Sequence, residues 1–258
     1  MLFTNYIGGS MSKSAHSRWH LLDALRGFTL INMVLYHFLY DVFIVYGVNS
    51  DWINKTTTFI WQQWICSTFI IISGIAFHFS HSHIKRGLQL EFWGLVITAV
   101  TLIVMPEEKI LFGILTFTGS SILLTALFEP ILKKIPYGLG LVCSLLGFFL
   151  TEEANYGYLG CYGYRLCKLP GCLYQTTIGT WLGFPEFGFY SSDYFSVFPW
   201  IFVFWIGYFL YYFFKENHIS SILMKNPFPP LAALGKYTLW VYLIHQPVCM
   251  VVCMIIFA

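Results

Sequence analysis

Between Gly27 and Tyr36 the chain carries no charged side chain, and six later stretches are nearly as bare: 58–79, 88–105, 110–131, 136–151, 194–214 and 235–257. A helix rises about 1.5 Å per residue, so about 20 apolar residues cross a ~30 Å hydrocarbon core. Inside lipid every backbone N–H and C=O must be satisfied within the protein, which leaves helices or a closed barrel. The runs are continuously apolar rather than alternating, so the fold class is all-α, a polytopic integral membrane helix bundle. It has about seven spans, the first over 24–46, with an eighth left open inside 152–193. Composition agrees, at 57% hydrophobic and 10% charged, and rules out an ordinary soluble core.

Residues 1–20 read as a cytosolic N-terminal tail without the apolar core of a signal peptide. Residues 21–258 read as a single transmembrane domain. Its 152–193 segment is rich in Gly, Tyr and Cys, too long for an idle loop, and expected to be structured outside the cytoplasm. Tyr174 to Phe184 is a candidate interfacial or re-entrant helix there. Placing the N-terminus inside puts Lys13, Arg18, Arg26, Lys85, Arg86, Lys133, Lys134, Lys215, Lys225 and Lys236 inside. Only Lys55, Lys109, Arg165 and Lys168 fall outside, as the positive-inside rule asks. The expected location is the plasma membrane, multi-pass, with the N-terminus cytosolic.

A net charge of +2 and the lack of a basic run argue against nucleic acid as a partner. The seven cysteines form no CxxC framework. Cys161, Cys167 and Cys172 leave open one disulfide with a thiol over, or three thiols. His78, His81 and His83 put only two rings on one helical face, so no metal is expected.

The polar residues inside the spans carry the functional reading, because an Arg, Lys or Asp at the bilayer centre costs about 2.5–3.5 kcal/mol even on the lenient scale. In LDALRGFTLINMVLYHFLYD (22–41), Asp23 and Arg26 share a face at i, i+3, and His37 and Asp41 at i, i+4. Arg26 and His37 lie about three turns, ~16 Å, apart, one near an interface and one past mid-membrane. His245-Gln246-Pro247 interrupts the last span at a similar depth, where Pro247 frees a backbone carbonyl. Ser73-Gly74 reads as close helix packing.

LDALRG with its Arg26–His37 spacing resembles the first helix of the transmembrane acyltransferase superfamily. FIIISGIAF (69–77), SSDYFSVFPWIFVFWIGYFL (191–210) and LGKYTLWVYLIHQPV (234–248) are similar to bacterial heparan-α-glucosaminide N-acetyltransferase-like proteins, related to acyltransferase-3. The resemblance runs in order from Leu21 to Val248. It implies an enzyme that moves an acyl group, usually acetyl, from cytosolic acetyl-CoA (acyl-CoA) to an amine or hydroxyl of a carbohydrate or other envelope acceptor. Two departures stand out. The loop 47–57 lacks the histidine credited with transfer in the lysosomal members, and Thr116 stands where many relatives carry His.

On that reading His37 is the base, Asp41 orients its ring, and Asp193 and His245 assist. Arg26, with Asp23, Lys85, Arg86 and Lys236, holds the coenzyme A phosphates, while Tyr194, Trp200 and Gln246 touch the acceptor. Gln246 and Tyr242 are candidate oxyanion donors. Each has a structural counterpart: a helix-tying His–Asp pair, positive-inside anchoring, an N-cap of span 6 for Asp193, helix-packing polar contacts for His245 and interfacial aromatics. The expected partners are acyl-CoA, the acceptor and the lipid bilayer, with a homo-oligomer left open. The competing function is a proton-coupled transporter or flippase using His37, Asp41 and His245 as a relay.

Overall fold

The computed structural model describes residues 18–257; the rest of the expected tail, Lys13 included, lies outside the described residues. Ten helices make up the bulk: α1 His20–Tyr40, α2 Thr56–Phe77, α3 His83–Val104, α4 Ile114–Leu132, α5 Tyr137–Thr151, α6 Thr177–Leu182, α7 Val197–Glu216, α8 Ser220–Leu223, α9 Pro229–Gly235 and α10 Thr238–Ile256. Seven of them are long and apolar enough to cross a membrane, so the protein is an all-α, multi-pass membrane protein. A π-helical turn over Asp41–Val45 extends α1, and a 3₁₀ turn over Glu152–Tyr156 extends α5.

The segment 152–193 is structured, and holds no further helix long enough to span. Strands β1 (Tyr158–Cys161) and β2 (Tyr164–Lys168) form an antiparallel hairpin, followed by the short α6. The hairpin sets Leu159 opposite Cys167 and Tyr164 opposite Cys161, so these thiols do not face one another, and all three are free. The sixth span begins at Val197, after extended Ser196, rather than at residue 194. Asp193 therefore stands clear of the N-terminus it was expected to cap.

The core lies where α2, α4 and α7 meet, around Ile70, Phe77, Phe117, Ile122, Phe204 and Tyr208. Lipid tails are as apolar as leucine, so spanning helices associate through close packing of small residues. Gly74 of α2 and Gly207 of α7 meet backbone to backbone, as Ser73-Gly74 led one to expect. A Cβ on Gly207 would strike the Ile71 carbonyl and lie 3.0 Å from the Gly74 Cα. Gly207→Leu is therefore expected to cost at least the ~1–3 kcal/mol of an overpacked core and to abolish the monodisperse peak in size-exclusion chromatography. Gly138→Leu, in a position open to at least 4 Å, is expected to leave that peak intact.

The same device positions the site. Gly27 and Gly235 let α9 press onto the N-terminal end of α1, where added Cβ atoms would collide with the Leu231 and Asp23 carbonyls. Thr238 begins α10 three residues later, so α10 rises beside α1 in the same direction. Tyr46 stacks on Phe257 at their far ends, centroids 4.8 Å apart.

Candidate functional site

Parallel α1 and α10 bring two histidines together between them. The rings of His37 and His245 meet edge to face, centroids 4.8 Å apart. His245 is buried and His37 half-buried. His245 Nδ1 lies 2.6 Å from the Tyr242 carbonyl. A carbonyl only accepts, so Nδ1 holds the proton and the neutral ring presents Nε2 as a lone pair.

One turn further out, Gln246 Nε2–H donates to Asp41 Oδ1 at 2.9 Å. Among the described residues no hydrogen bond links His37 to Asp41, so the expected orienting pair is replaced by a Gln246–Asp41 pair. The i, i+4 spacing does put His37 and Asp41 on one face. That face looks onto α10, whose amide is the better-placed donor.

Three buried atoms here have no hydrogen-bond partner: Asp41 Oδ2, Gln246 Oε1 and His245 Nε2. Given the tautomer, and given that Gln246 spends its amide nitrogen on Asp41, all three are acceptors. A buried polar atom left unpaired costs about 1–3 kcal/mol. Native proteins satisfy nearly all such atoms with protein groups, water or ligand, so this trio is a set of acceptors open to a molecule rich in N–H or O–H groups.

Asp193 reaches α10 through Tyr242. Its Oδ2 accepts from the Tyr242 hydroxyl and from the Ile114 backbone N–H, each at 3.2 Å. It therefore caps α4, not α7. Burial raises the Asp193 carboxyl above the usual carboxylate range, and the two donors pull the other way.

The N-terminal end of α1 holds the second expected set. Asp23 takes Arg26 Nη1 at 3.1 Å, as the i, i+3 spacing requires, and also Arg18 Nε at 2.6 Å. Arg86 donates to the Ala76 carbonyl at 3.2 Å and is within electrostatic reach of Arg26. Lys85 and Lys236 are exposed. Three guanidinium groups against one carboxylate leave this end net positive. Nearby, burial pushes His78 down to about 4, so it is neutral at pH 7.

Two candidates are half-buried and engaged with neighbouring groups. Trp200 packs on Phe148 and Phe195, centroids 6.0 and 5.1 Å away, and belongs to the core wall. Burial pushes the Tyr194 phenol up to about 12, and its hydroxyl donates to the Thr180 carbonyl. A polar set was missed as well. Trp181 Nε1–H donates to Ser120 Oγ at 3.0 Å, and Ser120 donates to Glu91 Oε1 at 2.6 Å. Glu91, a lone carboxylate inside an otherwise uncharged span, was the available signal.

The family described as "Heparan-alpha-glucosaminide N-acetyltransferase, catalytic" matches residues 18–247. No curated protein and no solved structure matches.

Proposed function

The chain belongs to the heparan-alpha-glucosaminide N-acetyltransferase catalytic family, a family of membrane acetyltransferases, and from that premise we propose that it transfers acetyl from cytosolic acetyl-CoA to a carbohydrate amine or hydroxyl presented from the opposite side. The observation that carries the reading is the trio of buried, unpartnered acceptors beside two touching imidazoles.

His37, the more exposed ring, accepts the acceptor's proton as its nitrogen or oxygen attacks the thioester carbonyl carbon. His245 takes the orienting part first assigned to Asp41. Its Nε2 lone pair is held toward the cluster by the Tyr242 carbonyl, and a small ring rotation lets His37 donate to it. Asp41 Oδ2 and Gln246 Oε1 receive the acceptor's remaining donors. The second N–H of Gln246 is left for the developing oxyanion. Tyr242 spends its only hydroxyl proton on Asp193, so it positions that carboxylate and is not an oxyanion donor. Attack forms the C–N or C–O bond and the oxyanion; collapse of the adduct re-forms the carbonyl, breaks C–S, and returns the proton from His37 to the coenzyme A thiolate.

The net positive inner end, Arg26 and Arg86 above all, receives the coenzyme A phosphates as charge-assisted pairs. Arg26→Ala is expected to raise KM for acetyl-CoA about 10-fold or more while changing kcat little, since a charge-assisted bond contributes about 1.5–3 kcal/mol. An unchanged KM would assign Arg26 to anchoring.

The decisive assay is thiol release from acetyl-CoA by purified, reconstituted protein, accelerated by an amino sugar. A solute flux without thiol release would favour the carrier reading.

A further inference from the structure

The segment after α5 builds a second concavity, outside the helices that carry the chemistry. The cavity is about 390 Å³ and is lined by Asn155, Tyr156, Tyr158, Lys168 and Tyr174 among others. Its frame is closely tied. The Tyr174 hydroxyl donates to the Ala154 carbonyl at 2.6 Å, and Leu169 N–H donates to the Gly157 carbonyl at 2.8 Å. Glu153 is buried, accepts the Gly163 N–H at 2.7 Å, and pairs with Arg165 at 3.5 Å. Arg165 in turn covers one face of Tyr158, 4.4 Å from its centroid.

These ties decide which groups are left to bind. Arg165 is neutralised by Glu153, whereas Lys168 has no carboxylate partner among the described residues. The Tyr156 ring is 69% exposed. What remains is an open aromatic face, an amide and a lone ammonium around a pit. Flat rings offer the C–H face of a sugar a large, rigid contact, and amide and ammonium groups fix its hydroxyls. The pit is tied to the segment that carries Asp193. Ser196, three residues beyond Asp193, donates to Asn155 Oδ1 at 3.3 Å.

We propose that this hairpin pit is a glycan subsite, holding a sugar unit of the acceptor other than the one that is acetylated. The proposal rests on the acetyltransfer reading and narrows its acceptor to an oligosaccharide. Tyr156 stacks on the pyranose, and Lys168 and Asn155 hold its hydroxyls.

The test separates binding from turnover. Calorimetry on the nanodisc-reconstituted protein compares glucosamine with a panel of trisaccharides: chitotriose, its fully de-N-acetylated form and a uronate-containing trisaccharide. At least one trisaccharide is expected to bind 10-fold or more tightly than glucosamine. Tyr156→Ala and Lys168→Ala are each expected to remove most of that gain while leaving glucosamine affinity unchanged. Equal affinity for glucosamine and every trisaccharide overturns the subsite. So does a full gain retained in both variants, the result expected if these residues were only interfacial anchors. Because no turnover is read, failure of acetyl transfer is a separate outcome, seen in the thiol-release assay alone.

Discussion

His37→Ala lowers acceptor-dependent thiol release from acetyl-CoA by about 10²–10⁴-fold, the share of a barrier that a positioned base supplies, or ~3–5 kcal/mol. Measured in nanodiscs with stopped thiol detection, the loss is expected to fall on kcat, because the proposed site for the coenzyme A phosphates is at the far end of α1. The companion variants apportion the roles. His245→Ala is expected to approach His37→Ala, since it removes the lone pair that would orient the ring. Asp41→Asn keeps the shape and an oxygen for Gln246, and is expected to cost much less in kcat than either histidine. If Asp41→Asn were as damaging as His37→Ala while His245→Ala retained turnover, the orienting role would return to Asp41. Full activity of His37→Ala would remove this ring from the reaction.

That division of labour shows where local sequence stops being informative. The spans were legible because the bilayer admits one solution for a long uncharged run, and α1 to α5, α7 and α10 fall on the predicted stretches to within a few residues at most ends. The Asp23–Arg26 pair was legible because both partners lie on one helix, three residues apart. His37 and Asp41 obey the same rule and share a face. Their partners, however, come from residues more than 200 positions away, at His245 and Gln246. No periodicity reports which residues α9 will press against α1. Two glycines decide it, Gly27 and Gly235, each meaningful only when both helices are in view. The packing of Trp200 was illegible for the converse reason. An aromatic at a span's start looks the same in sequence whether it faces an opening or a wall of Phe148 and Phe195.

Asp193 has the widest consequences of the residues so placed, because one carboxylate oxygen serves two elements. Asp193→Ala strands the Ile114 N–H at the head of α4 and frees the Tyr242 hydroxyl, two buried donors each costing about 1–3 kcal/mol when unpaired. The expected result is a lower thermal midpoint and loss of most activity, since Tyr242 sits one turn before His245 and its carbonyl fixes that ring. Asp193→Asn separates structure from charge. Its side-chain oxygen can still accept from Ile114 and Tyr242, so the cap is largely retained. Burial holds the native carboxyl above its unfolded value. Its neutral form thus favours folding below the unfolded value, and that contribution is lost as pH rises through the folded one. Asp193→Asn, having nothing to ionise, is expected to flatten this part of the stability profile measured by thermal unfolding between pH 4 and pH 8. A wild-type midpoint that instead rises across that window relative to Asp193→Asn would mean that the two donors outweigh burial and hold the carboxylate ionised. Asp193 would then be a fixed negative charge against the Tyr242 hydroxyl, on the residue whose carbonyl holds the His245 ring, and the part of His245 would have to be reconsidered.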